Sequence, residues 1–170
     1  MKELYNTIIE RLTSDQSKET YRSAGVPACK FIDLFRGQYF DYPGNDLIPC
    51  PAVLFEHTIV YDNKGEGTAT VTLHLCYEQP RDTSSISRVK ENALKFFDFV
   101  DVTHDLIREL ESTHTGKLQL TNEEIVKDDA IVNVYLLSFS CRYTGRNREK
   151  FNYVTGENLE TNGRVREFFG

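Results

Sequence analysis

The chain contains no tryptophan, a single methionine and no long apolar run, although 39% of its 170 residues are apolar. A transmembrane helix needs about 18 or more consecutive apolar residues, so the sequence predicts no membrane span and no membrane partner. The amino-terminal stretch MKELYNTIIERL contains acidic residues and lacks the continuous apolar segment of a secretory signal. The expected compartment is therefore the cytoplasm.

Cysteine pairs and basic charge are also scarce. The four cysteines form no C-x-x-C pair, and free thiols are expected in a chain without a secretory signal. The net charge is −6, whereas proteins that hold nucleic acid by its phosphates need a basic surface. No specific nucleic-acid partner is therefore expected, and the one basic cluster lies between Arg142 and Lys150.

Motifs for catalysis or phosphate binding are absent as well. No G-x-S-x-G, Walker loop, dinucleotide fingerprint or H-E-x-x-H occurs. His74 and Cys76 share one face of a predicted strand, and His57 lies on the strand paired with it, so zinc binding is an alternative to a histidine packed beside a buried thiol. His104, beside Asp105, has no predicted partner in a pocket, as general acid–base catalysis requires. We predict no catalytic residue, cofactor or metal.

Apolar residues recur at helical spacing in two segments. Leu4, Ile8, Ile9 and Leu12 predict a short amphipathic helix over residues 3–12. The polar stretch that follows ends in glycine and proline, and it predicts a helix end and a loop. Residues 81–113 predict one long helix that is capped at Ser84 or Ser85 and ends near Gly116. The residues expected to pack this helix on a sheet are Ala93, Phe96, Phe97, Val100 and Ile107.

Alternating apolar and polar residues predict the strands. Residues 51–61 and 67–77 alternate on either side of the glycine-bearing loop YDNKGEG, which predicts a hairpin with one threonine-rich face. A short strand begins near Lys117, and the acids Glu123, Glu124, Asp128 and Asp129 are expected in a charged loop, with cation binding as the alternative. Residues 130–143 predict a third long strand, buried on both sides in its first half.

The order of these elements predicts the fold class. Two strands, a helix and two further strands indicate an α+β domain with an antiparallel sheet, one long helix packed on it and a short amino-terminal helix. Residues 1–170 are expected to form a single domain. Its predicted core spans about 50–143, and 144–170 are expected to form an extended or partly flexible tail.

The segment 29–48 is unusually aromatic. Phe31, Leu34 and Phe35 fit one helical turn, which Gly37 then breaks. Together with Tyr39, Phe40 and Tyr42, these rings are too apolar to be solvated cheaply. One interpretation is that the segment packs over the sheet as a lid, and the other is that part of it is buried only against another subunit.

The layout of the central residues resembles a known family. CPAVLFEHTIVYDN, GTATVTLHLCYE, a helix of some 25 residues and DDAIVNVYLLSFSCRYTG are similar to the tail-terminator and tail-completion (neck) proteins of long-tailed bacteriophages and prophages. Residues 50–143 carry this similarity in their order and hydrophobic pattern, without an invariant motif. The segments 29–48 and 144–170 are not covered.

The resemblance implies a structural role. Members of that family form homo-oligomeric rings, commonly hexamers, that stop tail-tube growth or join the tail to the head, and they carry no catalytic residues. The expected partners are copies of this chain and phage tail-tube or neck proteins, first in the bacterial cytoplasm and then in the virion. The candidate subunit-contact residues are Phe35, Tyr39, Phe40, Tyr42, Tyr61, Arg146 and Arg148. The alternative is a small ligand-binding or enzymatic α+β domain with an aromatic-lined pocket.

Overall fold

The computed structural model describes residues 1–40, 48–78, 83–127 and 132–144. Within these ranges the chain forms three helices and five strands: α1 (Lys2–Thr13), α2 (Asp15–Ser23), β1 (Phe31–Leu34), β2 (Ala52–Tyr61), β3 (Gly67–Tyr77), α3 (Lys90–Ile107), β4 (Gln119–Ile125) and β5 (Asn133–Tyr143). None of the helices found in these ranges is long and apolar enough to cross a membrane.

The strands form one sheet in the order β1-β2-β3-β5-β4. All neighbouring pairs are antiparallel except β1 and β2. Helices packed on a mostly antiparallel sheet confirm the predicted α+β class. Gly67 starts β3 because a Cβ at this position would lie 2.7 Å from the carbonyl oxygen of Tyr143, so only glycine lets β3 and β5 approach this closely.

Side-chain alternation gives the sheet two faces, as the sequence predicts. One face, here called the helix face, packs against the three helices. Its core begins in α1, upstream of the expected residues 50–143, and includes Leu4, Ile8, Leu12, Tyr21, Val53, Phe55, Leu73, Leu75, Phe99, Leu137 and Phe139. The other face, here called the aromatic face, buries a smaller cluster around Leu54, Cys76 and Tyr39. Beyond this cluster it exposes Thr58, Thr68 and Thr70.

The expected loop after the first helix is wrong, because residues 15–23 form α2. The Ser14 hydroxyl accepts a hydrogen bond from the Ser17 amide at 3.1 Å, which caps the start of this helix. Tyr21 then reaches the core, where its hydroxyl lies 2.8 Å from the Thr103 hydroxyl of α3. A single buried tyrosine in a polar segment gives too little periodicity to predict a helix.

The predicted long helix is shorter than expected at both ends. It begins at Lys90, so Ser84 and Ser85 do not cap it. It ends at Ile107, because Glu109 adopts a φ of 60° and its amide bonds to the Leu118 carbonyl oxygen. Of the expected packing residues, Ala93, Phe96, Val100 and Ile107 are buried. The prediction that Phe97 packs on the sheet is wrong, because Phe97 is 40% exposed. Phe99 is fully buried instead.

Two other sequence predictions are corrected by the sheet. Phe31–Leu34, expected as a helical turn, form the parallel strand β1, because they pair with Ala52–Phe55 of β2. Glu123 and Glu124, expected in a charged loop, belong to β4. Asp128 and Asp129 lie outside the described residues.

Candidate functional site

The densest group of chemistry-bearing side chains lies on the aromatic face around His74. This residue stands in β3 between Leu54 of β2 and Leu136 of β5. The chain turns back over it after β1, where Gly37 has a φ of 86° that favours glycine. Phe35 and Tyr39 are thereby placed over the imidazole.

Two hydrogen bonds and one stacked ring hold His74. The Tyr39 hydroxyl lies 2.9 Å from Nδ1, and a Glu56 carboxylate oxygen lies 3.1 Å from Nε2. The Phe35 ring stacks on the imidazole with a centroid distance of 3.9 Å and an interplanar angle of 18°. A carboxylate only accepts, so Nε2 carries the proton and Nδ1 accepts from Tyr39. We call Phe35, Tyr39, Glu56 and His74 the His74 cluster.

The electrostatics of the His74 cluster follow from burial. Desolvation lowers the pKa of His74, and hydrogen bonding to Glu56 opposes part of that change. Desolvation also raises the pKa of Tyr39 to about 12. At neutral pH the imidazole is therefore neutral and the phenol is protonated.

A carboxylate, an imidazole and a hydroxyl in series form the arrangement that activates a nucleophile in many enzymes. Here the hydroxyl belongs to Tyr39, whose exposed fraction is 2%, and its raised pKa makes it a poor nucleophile. The rings that would line an aromatic pocket instead contact one another, with Phe35 and Tyr39 stacked at 5.2 Å. The geometry favours a role in fastening residues 35–40 to the sheet.

The three residues considered for zinc binding, His57, His74 and Cys76, do not lie on one face of the sheet. His57 lies on the helix face, whereas His74 and Cys76 lie on the aromatic face. Within the described ranges no group of three or more histidine, cysteine or acidic side chains is arranged to hold a metal ion. All four cysteines are free of disulfides, and burial raises the pKa of the Cys29 thiol to about 12 and also raises that of Cys76. Such thiols are poor nucleophiles.

The remaining histidines are held at the surface of the fold. His104 of α3 stacks on Phe139 with a centroid distance of 6.2 Å and lies 3.4 Å from Asp105. His114 lies in the loop after α3, where it is 3.7 Å from Glu3. Neither histidine joins the His74 cluster.

An open cleft of about 410 Å³ lies at the other end of the sheet from the His74 cluster, and Lys117 and Arg142 line it. Both cations already have carboxylate partners, Glu109 at 3.5 Å and Glu66 at 3.2 Å. These pairs are exposed and contribute little to stability. Each cation that lines the cleft among the described residues therefore has a partner.

The candidate subunit-contact residues fall into three groups. Tyr39 is buried in this chain's own sheet, and Phe35 and Phe40 are half-buried beside it. Tyr61, at the end of β2, is 42% exposed. Tyr42, Arg146 and Arg148 lie outside the described residues.

Sequence reasoning missed the partner of His74 and several exposed apolar residues. Glu56 belongs to the same face of the hairpin as His74, and this alternation was the available signal. Leu34, Phe97 and Ile125 are exposed although each is large and apolar. Nothing in their local pattern distinguishes them from core residues.

No protein-family model and no curated protein sequence matches this chain. The similarity to phage tail-terminator proteins therefore remains a prediction from layout and hydrophobic pattern.

Proposed function

We propose that this chain is a structural protein that assembles with copies of itself into a closed ring, as a tail-terminator, tail-completion or head–tail joining component of a long-tailed phage. The observation that carries the proposal is the distribution of exposed apolar side chains at the two opposite edges of the sheet. The resemblance in element order and hydrophobic pattern supplies the phage context.

At one edge, β1 and β2 expose Leu34, Val60 and Tyr61. At the other edge, Ile125 of β4 and Phe97 of α3 are exposed on either side of Tyr135, which pairs with Ile125 and contacts the Phe97 ring. Large apolar side chains at an exposed edge are favoured when a partner covers them. The two edges differ in sequence.

Two different edges on one molecule support head-to-tail association. A contact between unlike surfaces repeats from copy to copy, and it closes into a ring when the rotation between neighbours allows closure. A two-fold dimer would instead pair like with like and leave the opposite edge exposed. Unlike edges therefore favour a ring or a filament over a dimer.

The mass of the assembly tests this proposal. We expect light scattering after size-exclusion chromatography to give a fixed multiple of 19.6 kDa at high protein concentration, and electron microscopy to show rings. The Tyr61→Ser and Ile125→Ser variants, each altered at one edge, should remain monomers. Ile86→Ser removes a more exposed apolar side chain that lies in neither edge strand, so its assembly should match that of the parent.

Mixing the two edge variants separates head-to-tail from two-fold association. The Tyr61→Ser variant keeps the β4 edge intact, and the Ile125→Ser variant keeps the β2 edge intact. The mixture should therefore form a one-to-one dimer that cannot grow. A parent protein that stays monomeric at all concentrations and shows no rings would contradict the proposal.

The phage role is tested in the genome that encodes the chain. Deleting the gene should yield tails of uncontrolled length or tails unattached to heads. Particles of normal length and infectivity after the deletion would contradict the phage role, even if the purified protein forms rings.

A further inference from the structure

We infer that neighbouring copies join through backbone hydrogen bonds, with β4 of one copy added as a strand alongside the second half of β2 of the next. This inference rests on the proposed ring.

The second half of β2 has an unpaired outer edge within the described residues. The Asp62 amide bonds to the Glu66 carbonyl oxygen, which continues the β2–β3 register. The even-numbered residues of β2 therefore direct their backbone N–H and C=O groups toward β3. The odd-numbered residues direct their backbone groups toward β1, as the bond from the Phe35 amide to the Phe55 carbonyl oxygen shows. Strand β1 ends at Leu34, so His57, Ile59 and Tyr61 direct backbone N–H and C=O groups outward past its end.

Strand β4, the last strand on the other side of the sheet, also has an outer edge. The Val126 amide bonds to the Val134 carbonyl oxygen. In this register the even-numbered residues of β4 direct their backbone N–H and C=O groups toward β5. Glu123 and Ile125 therefore direct their backbone groups outward, and no described residue pairs with them. Open edges of this kind receive strands from other chains.

The directions of the strands fit a head-to-tail contact. Strands β2 and β4 run in opposite directions, because β2–β3, β3–β5 and β5–β4 are all antiparallel. Two copies in the same orientation would thus place β4 antiparallel to β2. The outward residues of both strands also carry their side chains on the helix face, so the joined sheets would keep all helices on one side of the ring.

The character of each edge limits the partners it accepts. Strand β4 has a register shift between Leu120 and Asn122 and carries Glu123 and Glu124 after it, features that discourage indiscriminate pairing. The outer edge of β2 has no lysine, proline or bulge over residues 57–61. We therefore assign β2 as the accepting edge and residues 122–125 as the added segment.

Proline substitution tests the inference at the backbone. His57→Pro removes an outward N–H that has no partner among the described residues, so the monomer should keep its fold. The ring should dissociate about tenfold or more readily, because one intermolecular hydrogen bond is lost and the fixed proline ring crowds the added strand. His57→Ala keeps the N–H and should assemble like the parent.

Hydrogen exchange gives a readout that does not depend on a variant of β2. The amides of His57, Ile59 and Tyr61 should exchange more slowly in the ring than in the monomeric Ile125→Ser variant. Rings that form with equal exchange at these amides, or that survive His57→Pro unchanged, would overturn strand addition and leave the ring itself intact. Protection of these amides in the monomer would assign the edge to another part of the same chain, which also overturns the inference. Absence of any oligomer would overturn both proposals.

Discussion

At the scale of single residues, the hydrogen bond between Tyr39 and His74 can be tested by removing one hydroxyl group. Tyr39→Phe keeps the stacked ring and removes only the hydroxyl, so Nδ1 of His74 is left buried without its donor. An unsatisfied buried acceptor costs about 1–3 kcal/mol, and we expect urea unfolding to show a loss of that size. Tyr135→Phe is the control, since its hydroxyl donates to exposed Glu123 and its removal should cost less. Equal losses in the two variants would contradict the role assigned to Tyr39.

His74 also predicts how stability depends on pH. Burial holds the pKa of folded His74 below its ordinary value, so the unfolded chain takes up the proton first as pH falls. The stabilisation from neutral His74 is complete above about pH 6.5 and is lost as the pH falls from there through the folded pKa. Thermal melting at about pH 7.5 and about pH 5.5 should show a smaller drop for His74→Gln than for the parent.

His57 contributes to the same pH dependence, because partial burial lowers its pKa too. His57→Gln should also flatten the pH dependence, by an amount that can be measured separately. A drop in melting temperature that is the same in the parent and in His74→Gln would show that His74 does not titrate differently in the folded and unfolded chain.

At the scale of elements, α3 decides how the helices pack. Phe99 is fully buried and stacks near Tyr21, whereas 40% of Phe97 is exposed. Truncating a buried phenylalanine costs about 3–5 kcal/mol, so Phe99→Ala should unfold or strongly destabilise the domain. Phe97→Ala, the matched variant two residues earlier, should cost about 1 kcal/mol. A reversed order in urea unfolding would show that the helix is rotated from its described position.

The sequence predicted the elements whose pattern is local and missed those that depend on distant partners. The alternation in β2 and β3 correctly predicted the hairpin and its threonine-rich face. Strand β1 was missed because four residues have no meaningful period and their conformation depends on pairing with Ala52–Phe55. In α3 the spacing of three and four accommodated both Phe97 and Phe99, and the contacts with Tyr21 of α2 and Tyr77 of β3 select Phe99.

At the scale of the whole molecule, the fold class was predictable and the candidate site was not. The α+β class follows from element order, because two strands, a helix and two strands leave few arrangements. The His74 cluster brings together residues 35, 39, 56 and 74, which are far apart in the sequence. No local sequence pattern indicates that the chain returns over β3 after Gly37. Among the described residues, the outer edge of β2 is unpaired beyond the point where β1 stops, which is a property of the whole sheet.

The strand order also sets when the sheet can be completed as the chain is made. Strand β3 lies at the centre, and it pairs with β2 through a short hairpin, but its other neighbour β5 begins only at Asn133. On the ribosome, β3 must therefore wait for α3 and β4 to be synthesised before its second side is paired. During that interval an eleven-residue strand with an apolar helix face presents a bare edge to other nascent chains. The chain is thus most vulnerable to aggregation while it is being translated, and conditions that slow elongation after Tyr77 should lower the yield of folded protein.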